Sequence, residues 1–167
     1  EIAEIARRHG LSSATRHLLR KVYREVKTVV YALRCDSVLA VKRTDSCEIM
    51  RVEGDSLKAC QATLGLSMDR RYAELGGVPY VAYVDGNAAA IGWVFAFSRQ
   101  PFRLGYSKGS VYLGGFRTAP EFRRRGLYVS LLTHMVREAA GSAEWAVVET
   151  DPDNLASRRG LEKAGFR

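Results

Sequence analysis

From residue 47 onward the apolar positions fall into a regular succession of short runs. Residues 48–52 alternate as a strand. Asp55 or Ser56 can cap a helix that reaches Leu64, and a second short helix over 67–75 is closed by Gly76 and Gly77. Two apolar runs, 78–84 and 88–97, predict strands joined at Asp85-Gly86-Asn87. That join is the strongest hairpin signal in the chain, because a tight turn needs residues that tolerate positive φ. Residues 100–109 read as a loop. A strand over 111–118 breaks at Ala119-Pro120, crosses the basic turn Arg123-Arg124-Arg125-Gly126, and gives way to a helix. That helix carries Leu127, Leu131, Leu132 and Met135 at helical spacing. A strand over 145–150 and a helix over 154–164, stopped by Gly165, complete the pattern.

Before residue 47 the pattern is different. Residues 1–9 predict a short helix ended by Gly10. A second helix starts at Ser12 or Ser13 with an apolar stripe of Leu18, Leu19, Val22, Tyr23 and Val26. Its other face carries Arg16, Arg20, Lys21, Arg24 and Lys27. Ile5-Ala6 and Gly10-Leu11 imitate the first half of a helix-turn-helix, but Arg16 sits where that motif buries an apolar side chain. An unpaired buried charge costs several kcal/mol, so no sequence-specific DNA reader is expected. A packed extension fits better, or a basic amphipathic helix lying on a partner or an acidic membrane. Residues 28–34 and 38–42 alternate as a hairpin around Asp36-Ser37. The division expected is an N-terminal helical extension over 1–45 and a main domain over 46–167.

Composition narrows the classes. A chain of 167 residues has room for a single core, and 47% hydrophobic with 26% charged residues describes a globular rather than a disordered protein. The net charge of +8 points to an anionic partner, with plain solubility as the bland alternative. No run approaches the roughly 18 apolar residues of a membrane span, and no signal-peptide pattern is read at the start of the sequence. Cys35, Cys47 and Cys60 lack Cys-x-x-Cys spacing, and His9, His17 and His134 are scattered. The reading is cytoplasmic and metal-free.

The candidate chemistry lies in 111–132. A strand that ends at a basic, Gly-containing loop and passes into a helix is an anion site, because the first helical N–H groups have no partner and the dipole end is positive. Three arginines beside them suit a phosphorylated ligand. Arg123-x-x-Gly126-x-Tyr128, entered through Thr118-x-Pro120-x-Phe122, resembles the acyl-CoA-binding motif of the GCN5-related N-acetyltransferase (GNAT) superfamily. Asn154-Leu-Ala-Ser157, followed by Gly165-Phe166, resembles that superfamily's next motif, in the expected order and spacing. The resemblance covers 48–167 and implies an α/β (α+β) fold: a mixed, mainly antiparallel sheet flanked by helices. Relatives continue past Gly-Phe into two more strands that are missing from this pattern. Either the sequence is trimmed there, or N-terminal strands or another subunit complete the sheet, which leaves a homodimer open.

The resemblance also implies roles. Acetyl-CoA would be the acyl donor, with its pyrophosphate on the backbone N–H groups of Arg124, Arg125, Gly126, Leu127 and Tyr128, beside Arg123. Its pantetheine arm would pair with Phe116, Arg117 and Thr118, where two strands splay apart. Asn154 would bond the pantetheine or cap its own helix. Tyr128 departs from the usual Gly or Ala. Where relatives place a carboxylate base the chain has Gly114-Gly115, so Glu149 is the first replacement, then Asp151 and Glu121. Where relatives place a tyrosine acid the chain has Leu161, leaving Tyr112, Tyr128 or water. The acceptor would be a primary amine of a small molecule or peptide, a polyamine being disfavoured by like charge. Two other readings remain: a CoA-binding domain without chemistry, and a basic nucleic-acid or membrane-associated module.

Overall fold

The computed structural model describes residues 28–37, 47–64, 69–96 and 109–167. The two helices expected over 1–27, the hairpin arm over 38–42 and most of the 100–109 loop lie outside the described residues. Among the described residues six strands form one sheet: β1 (Val29–Arg34), β2 (Glu48–Arg51), β3 (Val78–Val84), β4 (Asn87–Ala96), β5 (Ser110–Thr118) and β6 (Trp145–Thr150). Their order is β1-β6-β5-β4-β3-β2. Every neighbouring pair is antiparallel except β5 and β6, which run parallel because a helical crossover joins them. The helices are α1 (Gly54–Thr63), α2 (Asp69–Glu74), α3 (Leu127–Ala139) and α4 (Leu155–Lys163).

The strand alternation explains the two layers. Val81 and Ala82 are adjacent, both wholly buried, and belong to opposite faces of β3. One face carries Ala82, Ala90, Leu113 and Val148 under the apolar stripe of α3. On the other face, Val81, Ile91, Trp93 and Phe95 pack with Leu57 and Cys60 of α1 and Tyr72 of α2. A sheet covered on both sides reads as near-continuous apolar runs, which is the composition of β3 and β4. Asp85 and Gly86 make the turn between them, with φ of 50° and 75°, so positive φ at both central residues matches the turn expected from Asp-Gly.

One expectation needs correction. Helix α1 is preceded by Glu53, without a side-chain cap, while Asp55 sits inside the first turn and pairs with Lys58 at 2.8 Å. Neither Asp55 nor Ser56 is the cap residue. Asp36 and Ser37 belong to a 3-10 turn, Cys35–Ser37, that follows β1.

The most consequential placement is β1. It pairs antiparallel with β6 from Val29↔Thr150 to Arg34↔Trp145, with Tyr31 and Leu33 buried. An N-terminal strand thus extends the sheet beyond β6, one of the ways foreseen for completing it. On the outer edge of β1, Ala32 exchanges two backbone bonds with Arg167, at 2.8 and 3.1 Å.

Candidate functional site

Strand β5 is built to change direction. Trp93 stands opposite Gly114 and Ile91 opposite Arg117, so two residues of β5 face Gly92 alone. Gly115 takes up this bulge with φ of 64°, a left-handed conformation that costs a side-chain-bearing residue about 1 kcal/mol or more. A side chain at either glycine would also collide. A Cβ on Gly114 would lie 2.7 Å from the Tyr112 ring, and one on Gly115 would lie 2.8 Å from Trp93 and 2.9 Å from Tyr72. Aromatic rings therefore fill the places where a carboxylate would stand.

The parallel pairing of β5 with β6 runs from Ser110↔Trp145 to Leu113↔Val148 and stops there. Beyond it, β5 stays with β4 as far as Thr118 and β6 stays with β1 as far as Thr150. The sheet opens between them into a wedge, and a cavity of about 800 Å³ occupies it. Pro120–Phe122 forms a 3-10 turn at its mouth. The chain then passes Arg124, with φ of 64°, and Gly126, with φ of 79°, into α3. No side chain caps α3, so its first N–H groups face outward without an intrahelical partner.

Helix α4 supplies another wall. The Asn154 Oδ1 accepts a bond from the Ser157 N–H at 3.1 Å, which is a helix cap. The Ser157 and Tyr128 hydroxyls lie 3.0 Å apart. The Tyr128 ring covers Gly160, where a Cβ would meet it at 2.5 Å, and stands edge-on to Phe116 at 4.9 Å. The large residue at a position usually small is thus accommodated by a glycine on α4. Burial pushes the Tyr128 phenol up, while the Ser157 bond pulls the other way.

Of the residues expected at the site, Glu149, Phe116, Arg117, Thr118, Arg123 and Arg124 line the cavity. So do Gly126, Leu127, Tyr128 and Asn154. Arg125 does not; its guanidinium lies over the Phe122 ring at 5.2 Å. The cavity lining includes Glu149 but neither Asp151 nor Glu121. Asp151 instead accepts the Asp153 N–H at 2.8 Å, and Glu121 is exposed on the 3-10 turn. Leu161 is wholly buried in the core. Tyr112 lines the cavity with Glu149, and its phenol is pushed up to about 12, first by burial and then by the Glu149 charge. Sequence reasoning gave no role to the hydroxyl of Ser157, nor to Arg159 and Lys163, which also line the cavity. Their four-residue spacing on α4 was the available signal.

The lining therefore has five cations, Arg117, Arg123, Arg124, Arg159 and Lys163, against the carboxylate of Glu149. It can accept a polyanion at the helix start and offers a strand edge, one carboxylate and two phenols deeper in. Among the described residues no group of His, Cys, Asp and Glu could hold a metal, and no helix is long and apolar enough to cross a membrane.

Comparisons with known proteins agree with this architecture. The sequence pattern of the Acetyltransferase (GNAT) family matches residues 50–166. A GNAT-family acetyltransferase from Colwellia psychrerythraea superposes with a TM-score of 0.65 at 18% identity, over 86% of this chain and 53% of its own. A GCN5-related N-acetyltransferase from Kribbella flavida gives 0.59 at 18%, over 83% and 52%. A ribosomal-protein alanine N-acetyltransferase from Escherichia coli gives 0.58 at 18%, over 72% and 77%. The chain spans about half the length of the first two. A sequence comparison with curated proteins finds no match.

Proposed function

The chain belongs to the GNAT acetyltransferase family, and we propose that it transfers an acetyl group from acetyl-CoA to a primary amine of a small molecule or peptide. One observation carries this reading: the wedge between β5 and β6 opens directly onto the uncapped start of α3 and its arginines. A long molecule with an anionic end and a peptide-like arm fits that pairing of features. The N–H groups that begin α3 would receive the pyrophosphate, with Gly126 allowing close approach. The unpaired edge of β5 at Phe116, Arg117 and Thr118 would hold the pantetheine amides as a strand would.

In the transfer, the amine nitrogen attacks the thioester carbonyl carbon, the C–N bond forms, and the C–S bond breaks. Glu149, the carboxylate of the lining, would take the proton that the amine loses. Tyr128 would return a proton to the departing thiolate. Tyr112 is the weaker choice, because burial first and the Glu149 charge second oppose loss of its proton. The rings over Gly114 and Gly115 and the buried Leu161 favour a second reading, a CoA-binding domain without chemistry. The same experiment separates them. CoA should raise the melting temperature of the wild type and of Glu149→Gln alike, since a ligand of the folded state stabilises it. A release assay with acetyl-CoA and a panel of amines should show turnover that falls roughly 10²–10⁴-fold in Glu149→Gln. No thermal shift at millimolar CoA sinks both readings; a shift without turnover on any amine leaves the binding domain.

A further inference from the structure

The two faces of the sheet divide the side chains of the cavity. Leu113 and Val148, the last pair before the wedge, belong to the core under α3. Gly114 and Glu149 come next, so alternation turns them to the opposite face. Phe116 returns to the α3 side: a Cβ on Gly92 would meet both its ring, at 2.6 Å, and the Met135 sulfur, at 3.2 Å. Arg117 stands opposite Ile91, which packs in the layer away from α3. Its side chain therefore shares the face of Glu149, while its backbone belongs to the strand edge along the wedge.

That face carries aromatic rings as well. Tyr112 lines the cavity beside Glu149, and Tyr72 would stand 2.9 Å from a Cβ on Gly115. Burial first, then the Glu149 charge, then Tyr72 raises the Tyr112 phenol, so the three groups are neighbours. Trp93 lies behind them, its ring centroid 5.7 Å from that of Tyr72. Its indole nitrogen is buried with no hydrogen-bond partner among the described residues, a polar deficit that core packing alone does not account for. Arg117 is exposed, and no ion pair ties it to another described residue.

We propose that this face binds the acceptor as an aromatic α-amino acid, with its amine at Glu149, its carboxylate at Arg117 and its ring against Tyr72 and Tyr112. This rests on the acetyl-transfer reading above and names the acceptor class for it. Glu149 and Arg117 stand on different strands that splay apart, so they can take the two ends of a zwitterion. Without a cation nearby, Glu149 would repel a carboxylate so close to the amine. An arginine offers a planar fork that matches a carboxylate, and an aromatic ring packs edge-on or offset against phenol rings.

Turnover with acetyl-CoA on three amines tests this: phenylalanine, 2-phenylethylamine, which lacks the carboxylate, and alanine, which lacks the ring. For the wild type, kcat/KM should be highest for phenylalanine. Its advantage over 2-phenylethylamine should be about tenfold, the lower end for a charge-assisted bond, because Arg117 is exposed. Alanine should fall about tenfold or more. In Arg117→Ala the advantage over 2-phenylethylamine should vanish, and in Arg117→Glu it should invert. Both variants should keep the thermal shift with CoA, since only the backbone of Arg117 serves the pantetheine arm. Equal wild-type rates on phenylalanine and 2-phenylethylamine, no turnover of phenylalanine, or an advantage that survives Arg117→Glu overturns the acceptor assignment. Loss of the CoA shift in Arg117→Ala also overturns it, by placing that side chain in the CoA site. A wild-type CoA shift in the same samples leaves the CoA reading standing; its absence removes both.

Discussion

Tyr112 shows how one residue records its surroundings. Its phenol is pushed from 10.0 up to about 12, by burial first and by Glu149 second. The folded state therefore holds this proton more tightly than the unfolded chain does. The stabilisation is complete below pH 10 and is lost as pH rises from 10 to about 12. Wild-type protein should lose more stability across that window than Tyr112→Phe, in denaturant melts at a series of pH values. Parallel curves would show that Tyr112 titrates normally. Some of this residue-scale detail is legible in the sequence: Glu149, near a strand end, lines the cavity. Arg125 lies outside the cavity lining, and nothing in a run of three arginines says which one will stack on Phe122. The collision of Tyr112 and Trp93 with Gly114 and Gly115 depends on ring positions that only the folded sheet sets.

At the scale of elements, local signals predicted well and long-range ones did not. The Asp85-Gly86 turn, the apolar stripe of α3 and the Gly165 stop, with φ of 94°, are encoded within a few residues of where they act. The bulge at Gly115 is a mismatch between two strands, so neither strand alone announces it. The pairing of β1 with β6 is invisible for the same reason: partners far apart in sequence leave no periodic trace. The turn into α3 gives a test at this scale. Gly126 has φ of 79°, so Gly126→Pro, whose ring holds φ near −65°, should destabilise the protein by at least about 3 kcal/mol or displace the turn. Gly126→Ala should cost only about 1–2 kcal/mol. CoA affinity should fall more in the proline variant, which also loses an N–H donor. Equal affinity in both would place the anion away from this turn.

For the whole molecule, the family resemblance begins at residue 50, yet the sheet does not. Deleting residues 1–34 removes Tyr31 and Leu33 from the core, at roughly 1.5–3 kcal/mol for each fully buried side chain. It also uncovers the edge of β6, and exposed edges template association. Thermal melts and gel filtration should show a less stable chain that self-associates; a monomer as stable as the parent would mean β1 is dispensable. The position of β1 also bears on how the chain is made. Thr28 and Thr150, which are bonded, lie 122 residues apart. At about 5–20 residues per second on the ribosome, the earliest described strand leaves some ten seconds before its partner exists. β1 cannot pair with β6 until β6 has been made. Their pairing is a slow, non-local event.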